Sequence, residues 1–221
     1  MDNYNSMNTF KKTFAVVGFM SIFVLSGYAQ NRTDFTTFLE LFPQRNFPLS
    51  LSYDDDSVWD INTPSIPDSL YEKYIFQKEH FVIKEKEEIC FDGFLADGIF
   101  STKKTYNLLL IGKDSFVSGC GEESWLVTYT PQGEIIDVLF VYGRSTNYDS
   151  NEERIPFRVE SIITADSIMV NTRETLESFV LTNDNRRRSL FRIYERIYSI
   201  SSDGKFIKDE ENIKEEERYR E

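Results

Sequence analysis

The chain has 221 residues, a net charge of −12, 40% hydrophobic residues and 15% aromatic ones. That length and apolar content suit one ordinary domain with a real core, and they exclude a disordered chain. An acid excess of this size repels nucleic acid and anionic lipid, so neither is expected as a partner.

Lys11-Lys12 precede an apolar run from Phe14 to Leu25, followed by Ser26-Gly27-Tyr28-Ala29-Gln30. A basic region, a short apolar stretch and small residues at Gly27 and Ala29 predict a secretory signal peptide over 1–29, cut after Ala29. The alternative is a membrane anchor, but the run is shorter than the ~20 residues a spanning helix needs. Met7 is an alternative start, because it opens a cleaner basic region without Asp2. The expected organisation is a signal peptide at 1–29, one β-rich domain at 30–207 and a disordered charged tail at 208–221. Cys90 and Cys120 fall in the exported part, where an even pair is a disulfide candidate; two buried free thiols are the other reading. Neither sits in a Cys-x-x-Cys spacing, so metal and redox roles are not expected.

In chain order, Thr33-Asp34 resembles an N-cap before Phe35, Phe38, Leu39 and Phe42, whose spacing predicts a short helix ended by Pro43. Residues 43–66 hold Pro43, Pro48, Pro64 and the acidic run Asp54-Asp55-Asp56. They read as an irregular segment over a sheet, touching it through Phe47, Leu49, Leu51 and Trp59. A second short helix is expected at 66–75, with Pro67 at its first position and Ile66, Leu70, Tyr74 and Ile75 on its buried stripe. Lys84–Glu88 is a solvated charged stretch. The Asp-Gly pairs within 91–100 predict a hairpin.

Residues 106–142 are the clearest part, a β-meander. Trp125, Val127 and Tyr129 alternate with Ser124, Thr128 and Thr130, the period of a half-buried strand. Thr130-Pro131-Gln132-Gly133 fits a type I turn. Ile135–Tyr142, apolar on both faces, belongs at the centre of the sheet. Gly133 sets a register that places Ile136, Val138 and Phe140 on one face, with Trp125 and Val138 both buried. Asn147–Glu153 is a polar loop, and 159–170 reads as another hairpin. Residues 190–200 match helical and strand spacing alike. The echo of Pro131-Gln132-Gly133-Glu134 in Ser202-Asp203-Gly204-Lys205 favours strand, because it repeats a strand–turn–strand unit.

Chemistry-bearing motifs are sparse. His80 is the single histidine. A histidine-rich metal site is thereby excluded, and with no nucleophile motif nearby His80 reads as a surface residue. From Asp54, the sixth and twelfth positions of a calcium loop fall on Trp59 and Ser65, so Asp54–Asp56 with Asp60 is a solvated acidic loop. Arg186-Arg187-Arg188 at an expected hairpin tip is a solvated turn or an anion-gripping patch. Tyr53, Trp59, Tyr142 and Tyr148 either stack on sugars or roof the core.

The expected fold is α+β and predominantly antiparallel β: a twisted meander sheet or open barrel with two short N-terminal helices. The signal peptide, the Trp125–Asp137 hairpin and the terminal Ser-Asp-Gly-Lys hairpin resemble exported β-sheet proteins of Gram-negative bacteria, a resemblance that implies no particular activity. The functional expectation is an exported, periplasmic or extracellular, non-catalytic binding protein. It would be a monomer or weak oligomer taking a protein or glycan partner, with no catalytic, cofactor or metal residues assigned. The alternative is a carboxylate-based hydrolase acting on glycans.

Overall fold

The structure, a computed structural model, describes residues 34–52, 63–75, 93–114, 123–146, 156–165, 168–181 and 187–219. The expected signal peptide, Tyr53, Asp54–Asp56, Trp59, Asp60, His80, Lys84–Glu88, Cys90, Cys120, the expected loop at 147–153 and Arg186 lie outside these residues.

The chain divides into two units, 1–40 and 41–221. The first contains the expected helix, α1 (34–39), in which Phe35 and Phe38 stack with ring centroids 6.0 Å apart. It stops a turn early, so Phe42 and Pro43 belong to the second unit. No helix among the described residues is long and apolar enough to cross a membrane.

The second unit is one sheet with a short helix, α2 (Asp68–Tyr74). Its strands are β1 (Gln44–Arg45), β2 (Leu49–Leu51), β3 (Gly93–Phe100), β4 (Asn107–Asp114), β5 (Glu123–Tyr129), β6 (Ile135–Thr146), β7 (Pro156–Ile163), β8 (Val170–Leu181), β9 (Arg187–Ile200) and β10 (Phe206–Tyr219). The order is β1-β3-β4-β5-β6-β7-β8-β9-β10, with β2 added to β7. Every pairing is antiparallel except β1 on β3. The expected α+β meander therefore forms, as an open sheet and not a closed barrel.

The β3–β6 half is buried on both faces. On one face Leu108, Leu110, Leu126, Val141 and Tyr142 join Leu51, Ile163, Val170 and Ile200 in a single cluster. On the other, Trp125 lies between Phe94 and Phe140, at 6.0 and 5.8 Å between ring centroids. Tyr71 of α2 stacks on Phe94. The Tyr129 hydroxyl donates to the Tyr74 carbonyl at 3.0 Å, which gives the C-terminal end of α2 one of the donors its own backbone cannot supply. Tyr142, only 1% exposed, is a core residue and not a stacking platform.

The two Gly turns are near copies. Thr130 N–H donates to Glu134 O and Gly133 N–H to Thr130 O, at 2.8 and 3.0 Å; the same two bonds close Ser201–Lys205 at 2.9 and 3.1 Å. Gly133 and Gly204 share φ values of 91° and 92°, a region that favours glycine. The second turn folds back on the sheet. Thr128 Oγ1 donates to Gly204 O at 2.6 Å, and Phe206 N–H donates to Asp137 Oδ2 at 2.9 Å.

Four expectations change. The tail at 208–221 is not disordered up to Tyr219: it forms β10, paired along its length with β9. Its Glu and Lys residues meet complementary charges there, Glu211 on Arg196, Glu215 on Arg192 and Lys214 on Glu195. Asp97-Gly98 is not a hairpin turn but a bulge within the continuous strand β3. A second bulge, opposite Tyr129, sends Ile136 to the inner cluster while Phe140 faces Trp125. Trp125 is buried as expected, but Val138 is only half-buried. Residues 43–51 are not irregular, because β1 and β2 take up sheet edges. The strands expected at 159–170 and 190–200 do form, as parts of β7, β8 and β9.

Candidate binding site

The sheet forks beside β7. β6 pairs with β7 only through Gly143–Thr146, and further along β2 takes its place opposite Ser161–Ile163. The Ser161 hydroxyl bridges the fork by donating to Val141 O. From β2 across to β10 runs an open trough with a cavity volume of about 620 Å³.

Strand register puts two rows of side chains on its floor. Row one is Glu160, Arg173, Glu195 and Asn212, one residue from each of β7 to β10. Row two is Ser50, Ile162, Asn171, Ile197 and Glu210, starting from β2. Ser161, Thr172 and Arg196 alternate with them and point to the opposite face, as a period of two requires. There Arg196 bridges Glu174 and Glu211, with its guanidinium 4.7 Å from the Tyr194 ring centroid.

The charges of the trough are largely matched. The Lys214 ammonium bonds Glu195 at 2.7 Å and, with Arg173 beside it, holds that carboxyl below the usual range. Arg158 pairs with Glu160 at 2.6 Å. On the opposite face the bond from Arg196 likewise holds Glu211 low. Apolar surface is nevertheless left open. The large hydrophobic side chains exposed among the described residues are Ile162, Ile207 and Ile213, at 50, 48 and 53%. Ile162 is in the trough; on β10, Ile207 stands opposite Ser199 on the same face of the sheet, and Ile213 stands opposite Tyr194 on the other face.

A second polar feature lies inside the core. The bulge in β3 turns Asp97 inward, leaving it 2% exposed. Its carboxyl lies over Gly112 so closely that a Cβ there would stand 2.3 Å from Oδ2. Ser124 donates to Oδ2 at 3.4 Å, and Arg45 Nε donates to the Asp97 carbonyl at 2.9 Å. Among the described residues Oδ1 has no partner. Burial pushes the acid up to about 7, against the opposing pull of Arg45 and the Ser124 bond.

Few of the candidates named from sequence enter this geometry. Arg187 and Arg188 open β9 opposite Leu181 and Val180, away from the trough. Cys90, Cys120, His80, Tyr53 and Trp59 lie outside the described residues. The trough itself had no linear signature, because its rows are assembled from five strands. Among the described residues no group of three or more His, Cys, Asp or Glu side chains is placed to hold a metal ion. Comparison with protein-family models, with curated proteins and with solved structures gives no match.

Proposed function

We propose that the protein is an exported, non-catalytic binding protein whose partner is a polypeptide held at the trough. The observation that carries this is the placement of the exposed isoleucines. Ile162 stands exposed on the floor of one polar-rimmed depression and Ile207, opposite Ser199, shares that face of the sheet, and apolar surface rimmed by polar groups is the usual anatomy of an interaction site. Among the described residues the lining holds no aromatic ring for a sugar to stack on, which favours a polypeptide over a glycan. Export rests on the basic, apolar and small-residue pattern of 11–29.

A glycan hydrolase would need one trough carboxyl kept protonated as the acid. Glu195, on the trough floor, is instead held below the usual range. Among the described residues the carboxyl held well above it is Asp97, packed between β3 and β4, away from the lining.

The test starts from protein recovered from its native host, whose intact mass should place the N-terminus at Gln30; a full-length chain in the membrane fraction removes export from the proposal. That material and an Ile162→Glu/Arg173→Glu variant are immobilised and exposed to the host's envelope extract. A polypeptide retained by the wild type and lost from the variant, at equal thermal midpoints, is the expected result. Identical retention on both overturns the trough as the binding surface.

A further inference from the structure

We infer that the outer edge of β10 accepts an extended, lysine- or arginine-rich segment of a partner polypeptide as an added strand, with alternate side chains reaching over the trough. This rests on the binding-protein reading and gives the partner its chemical class.

The edge is long and ready to pair. β10 runs from Phe206 to Tyr219, and among the described residues β9 is its one strand neighbour. At about 3.3 Å per residue it presents roughly 45 Å of backbone. Its first residues are already guarded. Phe206 N–H is taken by Asp137, and a bulge interrupts the ladder between Lys208 and Glu210. Beyond the bulge no comparable guard is present among the described residues, and Ile213 stands 53% exposed in the midst of charged neighbours.

Charge selects the occupant. Acids outnumber bases along β10. Glu211, Glu215 and Lys214 are engaged by Arg196, Arg192 and Glu195 from the sheet side. Asp209 and Glu210 remain exposed. A second copy of this strand would bring carboxylates against carboxylates, which is how natural edges discourage self-association. A basic segment meets no such repulsion. In strand addition the main-chain hydrogen bonds supply affinity and alternate side chains supply specificity. Glu210 and Asn212, which face the trough from β10, sit where alternate basic residues of an added strand would pass.

The probe is a fluorescent peptide of alternating lysine and valine, about ten residues long to match the unguarded edge. Its controls are the aspartate–valine counterpart and a lysine–valine peptide N-methylated at alternate residues, which keeps the charge and removes the pairing N–H groups of one edge. Anisotropy titration against the full mature protein should show binding of the lysine–valine peptide alone. Glu210→Lys combined with Ile213→Lys should weaken it by about tenfold or more, a fold-change equivalent to about 1.4 kcal/mol. Equal binding of the N-methylated peptide means attraction to acidic surface only and overturns strand addition. Binding of the aspartate peptide, binding of neither peptide, or a salt-independent dimer of the protein abolished by the same double substitution overturns the basic partner. Ile162→Glu, remote from the edge, separates the two ideas. If it leaves peptide binding intact while the envelope partner is retained as before, the trough reading fails and the edge stands.

Discussion

Replacing Asp97 by asparagine should make the protein more stable at neutral pH and change how its stability depends on pH. Burial raises this acid from an ordinary 3.8 to about 7. Each pKa unit corresponds to about 1.4 kcal/mol, so keeping the site in its fold at high pH costs about 4 kcal/mol relative to acid pH. The sign follows from proton counting. Below 3.8 the acid is protonated in both states and the fold has its full stability. Between 3.8 and about 7 the unfolded chain ionises first, so stability falls as pH rises, and above about 7 the loss is complete. Glu195, Glu211 and Asp203 are held low and work in the opposite direction, so the wild-type curve alone mixes the effects. The difference between wild type and Asp97→Asn isolates the one acid, because the amide keeps the shape over Gly112 and can still accept from Ser124. Urea melts at intervals from about pH 4 to about pH 8 should show the variant gaining on wild type by about 4 kcal/mol, less what it loses in attraction to Arg45. A difference that stays flat across that range would falsify the claim that the fold holds Asp97 protonated.

Two further substitutions test the packing. Trp125→Ala removes a buried ring lying between Phe94 and Phe140 and should cost about 3–5 kcal/mol, seen as a lowered urea midpoint; a midpoint equal to wild type means the central hairpin is misplaced. Gly204→Ala should cost about 1–3 kcal/mol, because φ is 92° and the new Cβ would lie 2.9 Å from Ile136 Cδ1. An unchanged thermal midpoint there would mean that the terminal turn does not pack on β6.

The sequence disclosed what depends on local chemistry. Alternation through Trp125, Val127 and Tyr129 marked a strand, and the Pro131–Glu134 turn and its echo at 202–205 both close by the same bonds. What stayed hidden depends on partners far away in the chain. Glu and Lys have poor strand propensity, so β10 reads as a solvated tail until Arg192, Glu195 and Arg196 are seen opposite it. Asp-Gly suits a hairpin turn and a bulge equally, since both need irregular backbone; only the pairing of β3 with β4 decides, and it turns Asp97 into a core acid. The same limit explains Ile136. One extra residue opposite Tyr129 breaks the period of two, and no composition signals it.

The sheet divides its work along its length, and this is why the site lies where it does. β3–β6 are covered on both faces and hold the large buried rings, so a change there lowers stability. From β7 outward, one face carries ion pairs instead of a covering layer. Exposed pairs contribute little to stability each, so that face is free to vary its charges without unfolding the domain. A surface with that freedom can be shaped by what it binds. Among the described residues the exposed isoleucines stand on this half and not on the other. Arg196 ties the halves of the charge network together from beneath, between Glu174 of β8 and Glu211 of β10. It thereby links the terminal strand to β8 and β9 on the face opposite the trough. An edge strand fixed in this way offers a partner a ready-made ladder, and the partner need order only its own backbone on arrival.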